Sequence, residues 1–375
     1  MRGLPRPRRN LNAVQRILVR GGAQEAPESV VWIGRGLLES GASLLASPSG
    51  RFLLVSAPAA RFAADVLRAA LGGRLLLDLE IDDREEAKTL GSVSSIADAA
   101  LAAGVRRDDA LVAVGGGVTT DVAGFAAAVL LRGVVWNAVP TTTAAMADAA
   151  VGGKTGVDHP LGKNLLGAFH PPRAILVDPA TLATLPERDY RSGLVEGFKA
   201  AWVADALLAE QAERALPRIL ARDEDALLEF VTGAVRVKAE IVSSDPKEEG
   251  RRRLLNFGHT LGHAFEAAGG FRDLRHGEAV AWGIAAALTI SLERTGLSAG
   301  EAQRVRGVLS RLGPFPEPKR DPSVLAAYLA RDKKASASGR AGILLEAIGR
   351  ARVEPSVTEE EWLAAASDPE GAAGE

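Results

Sequence analysis

The feature that most constrains this chain is an alternation that fills its first half and then stops. Between Val30 and Asp178 short apolar runs take turns with alanine-rich helical stretches: Phe52–Val55, Ala59–Leu71, Leu75–Leu79, Glu85–Ala103, Ala110–Val114, Val118–Leu131, Val134–Val139 and Ile175–Val177. Alternation of this kind favours a mostly parallel sheet covered by helices. After about Leu185 the strand-like runs nearly vanish, and helical periodicity takes over in Leu207–Leu220, Ala226–Ser243, Leu254–Ala268 and Glu278–Thr295. The expected architecture is an α/β domain followed by an all-helical domain. One late apolar run, Gly342–Ile348, is expected to return as a strand or hairpin.

Length agrees with two cores, since domains usually run about 100–200 residues and the chain has 375. A composition 47% hydrophobic and 25% charged is that of a globular protein. The net charge of −2 gives no general pull toward nucleic acid or an acidic membrane, so an anionic ligand must be met by a local cluster. The chain has no cysteine, which excludes disulfides, thiolate metal ligands and a cysteine nucleophile. Any metal must then be held by His, Asp or Glu. The first ten residues carry Arg2, Arg6, Arg8 and Arg9 but no apolar segment of the kind a secretory signal needs. No apolar run approaches the ~20 residues of a membrane helix. The expectation is a soluble, cytoplasmic protein that uses neither nucleic acid nor membrane as partner.

Three stretches carry chemistry. Gly115-Gly116-Gly117-Val118-Thr119-Thr120-Asp121 directly follows a buried strand and opens an alanine-rich helix. Glycines there let backbone N–H groups and a helix N-terminus approach a pyrophosphate, although the spacing is not G-x-G-x-x-G and a tight turn reads the same way. Next come Pro140-Thr141-Thr142-Thr143, Asp148, Gly152-Gly153-Lys154-Thr155-Gly156 and Gly162-Lys163-Asn164. Their lysines, hydroxyls and amide suit a phosphate and a polyol, whereas the P-loop spacing of an NTPase is missing.

The third stretch is Asn256-Phe257-Gly258-His259-Thr260-Leu261-Gly262-His263-Ala264-Phe265-Glu266, followed by His276-Gly277-Glu278. His259 and His263 lie four apart on one helical face and can converge on a metal or substrate. A carboxylate ligand is still needed, and Glu196, with Lys199 one turn later, is a candidate. An isolated helical Glu/Lys pair is usually a surface ion pair. Lys238 and the basic run Arg251-Arg252-Arg253 read either as a solvated face or as a grip for a carboxylate.

Taken in order, these stretches resemble the 3-dehydroquinate synthase family, from about residue 30 to 350. The likeness rests on Gly-Gly-Gly-Val with Asp121, Leu-Arg132-Gly, Val-Pro-Thr-Thr, Asp148, Gly-Gly-Lys-Thr-Gly, Gly-Lys-Asn-Leu, Glu196-x-x-Lys199, Val-Lys238-Ala-Glu, Asn-Phe-Gly-His-Thr-x-Gly-His and His-Gly-Glu. The resemblance implies a Rossmann-like NAD-binding domain over 16–185 and a helical metal and substrate domain over 186–367. A disordered basic leader, 1–15, and a frayed tail, 368–375, would flank them.

It further implies that Glu196, His259 and His276 bind Zn²⁺ or Co²⁺, with His263 on the substrate side as a polar or proton-relay residue. Lys154, Asn164, Lys199, Lys238, Arg252, Asn256 and one of Lys333 or Lys334 would meet substrate. Glu85, Lys88, Gly116, Gly117, Val118, Asp121, Thr141, Thr142, Asp148, Lys154, Lys163, Thr181 and Thr184 would meet NAD. Arg132 would reach a neighbouring subunit's site in a homodimer. The implied reaction takes 3-deoxy-arabino-heptulosonate 7-phosphate through transient oxidation, phosphate elimination, re-reduction and aldol closure to 3-dehydroquinate.

Three positions depart from the family's usual pattern. Ser56-Ala57-Pro58 follows the second apolar strand where an acidic residue is usual, Arg84 replaces a glycine, and Ala149-Ala150 replace a common Ser-Ser. The competing expectations are a cyclase of sedoheptulose 7-phosphate or an amino analogue, a metal- and NAD-dependent alcohol dehydrogenase, and a non-catalytic paralogue.

Overall fold

Strands form where the apolar runs stand, and their burial explains why they read as continuous. The structure, a computed structural model, describes residues 14–21, 28–160, 162–335 and 341–367, with only the helical backbone described over 331–335. The expected leader, apart from residues 14 and 15, and the expected tail lie outside these residues, as do the Lys333 and Lys334 side chains.

The strands are β1 (Gln15–Val19), β2 (Ser29–Ile33), β3 (Phe52–Ser56), β4 (Leu75–Glu80), β5 (Ala110–Gly115), β6 (Val135–Pro140), β7 (Lys154–His159), β8 (Gly162–Phe169), β9 (Ala174–Val177), β10 (Gly342–Ala347) and β11 (Arg350–Glu354). Seven of them make one sheet in the order β1-β2-β9-β6-β5-β3-β4, parallel throughout except for β1, which pairs antiparallel with β2 at the edge. Every residue of β3, β5 and β9 is buried. Strands covered on both faces need apolar residues at every position rather than at alternate ones. Their side chains still alternate between two cores. Leu53, Val55, Leu111, Ala113, Ile175 and Val177 join the larger core, and Phe52, Leu54, Ala110, Val112 and Leu176 join a smaller one on the opposite face.

The helices are α1 (Leu37–Ser40), α2 (Arg61–Leu71), α3 (Leu90–Ala102), α4 (Gly117–Val129), α5 (Glu187–Ala204), α6 (Ala206–Leu220), α7 (Glu224–Ser244), α8 (His259–Ala268), α9 (His276–Arg294), α10 (Ala299–Leu312), α11 (Pro322–Ala335) and α12 (Glu359–Ser367). The larger core runs from the sheet into α5, α7, α8 and α9 without interruption, so the helical half is packed directly against the sheet. That half is not wholly helical: the late apolar run returns as the antiparallel hairpin β10–β11. A second hairpin, β7–β8, carries the Gly-Gly-Lys-Thr and Gly-Lys-Asn stretches. Its strands are glycine-rich and half-exposed, so no apolar run announces them.

Strand order sets the position of the site. The chain goes from β3 to β4 on one side and then crosses to β5 on the other, which makes the carboxyl ends of β3 and β5 the switch point where open α/β sheets bind ligands. Ser56, Ala57 and Pro58 leave β3 there, and Gly116 leaves β5. The Thr141 amide donates to the Gly115 carbonyl at 2.9 Å and so brings the end of β6 into the same cleft.

Candidate active site

Glycines decide how closely the helices of the site approach. A Cβ on Gly193 of α5 would lie 2.1 Å from Thr143 Oγ1, and one on Gly277 of α9 would lie 1.9 Å from the Ser192 carbonyl oxygen. Gly283 of α9 would likewise meet the Gly258 carbonyl oxygen at 1.9 Å, just before α8 begins. Each of these close contacts is near a chemistry-bearing residue: Glu196 one turn beyond Gly193, His276 next to Gly277, and His259 next to Gly258. The first turn of α9 is thereby held against α5, and the body of α9 against the start of α8.

The ligand atoms of Glu196, His259 and His276 lie within 4.8 Å of one another. His276 Nε2 is 3.5 Å from Glu196 Oε1, a buried oxygen with no hydrogen-bond partner among the described residues. Glu196 Oε2 accepts a hydrogen bond from Lys199, and both side chains are buried, so this helical pair is no surface ion pair. Burial pushes the His259 imidazole well below its usual value, aided by Lys199, which leaves it neutral with a free lone pair. Burial alone would lower His276 too, but Glu266 and Glu196 outweigh it and raise the imidazole to about 10. An orphaned buried carboxylate oxygen, a neutral imidazole and a second imidazole that a cation could relieve of its proton fit a His₂Glu divalent-metal site.

Beside this group opens a pocket lined by Asp148, Lys154, Lys199, Lys238, Glu248, Arg252, Leu255, Asn256 and His259. Lys238 donates to both the carbonyl and the carboxylate of Asp148. The Arg252 guanidinium is held by the Pro246 carbonyl at 2.6 Å and the Gly152 carbonyl at 3.0 Å, and unlike its neighbour Arg251 it is buried. Burial lowers the Lys154 ammonium to about 8, with Arg252 and Lys238 acting in the same direction. Asp148 is held at about 2: burial would raise it, but Lys238 and Lys199 prevail. Four cations against two carboxylates leave the lining positive, which suits a substrate with more than one negative charge.

The residues expected at the cofactor form a second network. Lys88 Nζ donates to Asp121 Oδ2 at 2.7 Å and to Asn164 Oδ1, and Lys163 Nζ pairs with Glu85 at 2.8 Å. Gly116 faces Thr142, and α4 starts at Gly117 without a side-chain cap, so its first-turn N–H groups are available to a phosphate. This uncapped helix end at the switch point fits a dinucleotide. Val118 lies in the first turn of α4. Thr181 and Thr184 follow β9, where the Thr181 hydroxyl donates to the Asp178 carbonyl and Thr184 is exposed.

Asn164, expected at substrate, sits in the Lys88 network. Arg132, expected to reach a neighbouring subunit's site, is exposed on the turn between α4 and β6, outside the lining of this chain's own pocket. His263 stands beside two other histidines, with ring centroids 5.2 Å from His259 and 5.9 Å from His276. Burial depresses it to about 4.

Two site residues carried no expectation. Glu248, on the loop after α7, pairs with Lys154 and accepts from Asn256 Nδ2 at 2.6 Å. No local spacing marks it. Glu266 is buried between His276 and Lys163, and its place three residues after His263 on the same helix was a usable signal.

Residues 78–192 match the 3-dehydroquinate synthase N-terminal family, and residues 193–335 match the 3-dehydroquinate synthase C-terminal family. The 3-dehydroquinate synthase of Pelobacter propionicus is 43% identical over 333 residues, 88% of each chain. Among solved structures, 2-epi-5-epi-valiolone synthase from Streptomyces hygroscopicus subsp. jinggangensis, with NAD⁺ and Zn²⁺ bound, is 32% identical. It superposes with a TM-score of 0.82 over 92% of this chain and 98% of its own. A 2-deoxy-scyllo-inosose synthase complexed with carbaglucose-6-phosphate, NAD⁺ and Co²⁺ is 26% identical, with a TM-score of 0.81 over 94% of this chain and 99% of that one.

Proposed function

Because the chain belongs to the 3-dehydroquinate synthase family, we propose that it converts 3-deoxy-arabino-heptulosonate 7-phosphate to 3-dehydroquinate and phosphate at the cationic pocket beside Glu196, His259 and His276. The observation that carries this reading is the juxtaposition of that three-residue group with the four buried or cleft-lining cations Lys154, Lys199, Lys238 and Arg252. Residues 16–185 serve as the cofactor-binding part and 186–367 as the metal and substrate part.

Glu196, His259 and His276 would hold Zn²⁺ or Co²⁺, and the α4 N-terminus with the Lys88 network would hold NAD⁺. When bound, the metal supplies a Lewis acid for a substrate hydroxyl, and NAD supplies a hydride acceptor that returns what it takes. The protein's own part is electrostatic and positional. Lys154, with Lys238 behind it, faces the phosphate and stabilises the charge that leaves with it. Arg252 and Asn256 face the carboxylate, which planar guanidinium donors recognise well. His263, neutral at physiological pH, can accept a proton beside the two ligand imidazoles. Held at both charged ends, the opened intermediate keeps its reacting carbons near closing geometry.

The supporting test compares two sugar phosphates. With NAD⁺ and Zn²⁺ or Co²⁺ supplied, phosphate is expected from the carboxylated heptulosonate and not from sedoheptulose 7-phosphate. Equal release from both would overturn the role given to Arg252 and Asn256. A homodimer and a cytoplasmic location belong to the same proposal. The exposed Leu165 and Phe169 on β8 and the exposed Arg132 favour the first, and the absence of cysteine accords with the second. No helix among the described residues is long and apolar enough to cross a membrane.

A further inference from the structure

We infer that Glu266 is a positioning residue of the metal site, fixing His276 as a ligand through Nε2 and tying that ligand to the cofactor network through Lys163. The inference rests on the reading of Glu196, His259 and His276 as the metal group. Two overlapping sets of donors meet in this region, Glu196 with His259 and His276, and His263 with Glu266 and His276. His276 is common to both, and its two ring nitrogens face opposite ways. Nε2 is 3.5 Å from Glu196 Oε1, and Nδ1 is 3.4 Å from Glu266 Oε2. An imidazole that gives its Nε2 lone pair to a metal keeps a proton on Nδ1 and needs an acceptor for it. Glu266, only 2% exposed, is the carboxylate aimed at that nitrogen. Accepting this proton fixes the tautomer and the ring plane and makes the imidazole a stronger donor.

The second set could alternatively be a second metal site, but Lys163 argues against it. Its ammonium lies 3.0 Å from Glu266 Oε1 and 2.8 Å from Glu85 Oε1. A permanent cation therefore already neutralises the carboxylate that a second metal would need, and two cations in so small a volume repel each other strongly. The same lysine gives Glu266 its second task. Glu266 comes from α8, His276 from α9, Lys163 from β8 and Glu85 from the turn before α3. One buried carboxylate thus joins the metal helices to the hairpin and turn that line the cofactor side.

The test is Co²⁺ affinity, measured by competition with a chromophoric chelator, together with the Co²⁺ absorption spectrum and metal stoichiometry. The variants are Glu266→Leu, Glu266→Gln and, in parallel, His276→Ala. The expected result is one Co²⁺ per chain, binding weakened about 10- to 100-fold by Glu266→Leu. Glu266→Gln, which keeps an acceptor oxygen, should weaken it less, and both should alter the spectrum while circular dichroism stays unchanged. Wild-type affinity and spectrum in either folded Glu266 variant, or two Co²⁺ per chain, would overturn the inference. If Glu266→Leu does not fold, Glu266→Gln, which preserves volume, decides the matter. His276→Ala separates the two levels: unchanged affinity there would refute the metal site itself, whereas weakened affinity there with none in the Glu266 variants would refute only the positioning role.

Discussion

Replacing Gly277 by alanine tests whether close helix approach is what assembles the site. The new Cβ would lie 1.9 Å from the Ser192 carbonyl oxygen and 2.6 Å from its carbon. An ordinary carbon–oxygen contact is about 3.3 Å, so the first turn of α9 must withdraw from α5 by about 1.4 Å. Both partners are helix backbone and neither can rotate away. Overpacking of this kind costs about 1–3 kcal/mol, which the large continuous core tolerates, so the variant should fold with a lowered denaturation midpoint. His276 is the neighbouring residue, and Glu196 is on the helix it retreats from. A displacement near 1 Å at a reacting centre costs about 10²-fold in rate. Glycine-to-alanine at 277 is therefore expected to lose about two orders of magnitude in kcat and to bind Co²⁺ more weakly, with unchanged circular dichroism. Wild-type turnover and wild-type metal affinity in the folded variant would refute the argument that this contact sets ligand geometry.

Other outcomes follow from the same geometry. Arg188 clamps the buried Glu278 through two hydrogen bonds of 2.7 and 2.8 Å, so Arg188→Ala should lose about 1–3 kcal/mol in denaturant unfolding and loosen the start of α9; an unchanged midpoint would dismiss the clamp. His276→Ala should abolish turnover in a folded protein, and retained activity in a metal-buffered assay would remove it from the ligand set. Lys154 is cationic below about 8 and neutral above, so inorganic phosphate should bind less tightly as pH rises through that value. Lys154→Arg should move the fall to higher pH, and a flat profile in the unsubstituted chain would contradict the assignment.

How far the sequence disclosed this molecule depended on how local each signal was. The buried strands β3, β5 and β9 were legible because burial on both faces forces an unbroken apolar run. The hairpin β7–β8 was not, since its glycines and polar residues match a loop as well as a strand. Helical spacing put His259 and His263 together correctly, yet it could not bring Glu196 or His276 to them. That meeting is a tertiary fact: it depends on α9 touching α5 at Gly277 and the start of α8 at Gly283, while Gly193 seats α5 against Thr143. Lys199 and Arg252 look like surface charges by local pattern and are buried because the pocket closes over them. Glu248 reaches the pocket from a loop with no periodicity. Glu266 shares a helix face with His263, and its signal was present but unassigned.

The most direct measurement of the central claim follows phosphate release from 3-deoxy-arabino-heptulosonate 7-phosphate in the presence of Zn²⁺ or Co²⁺ and substoichiometric NAD⁺, while NADH absorbance is recorded. The predicted result is many turnovers of phosphate per NAD⁺, complete dependence on metal, and no accumulating NADH. Steady build-up of NADH, or no phosphate released with metal and NAD⁺ present, would contradict a redox-neutral cyclase.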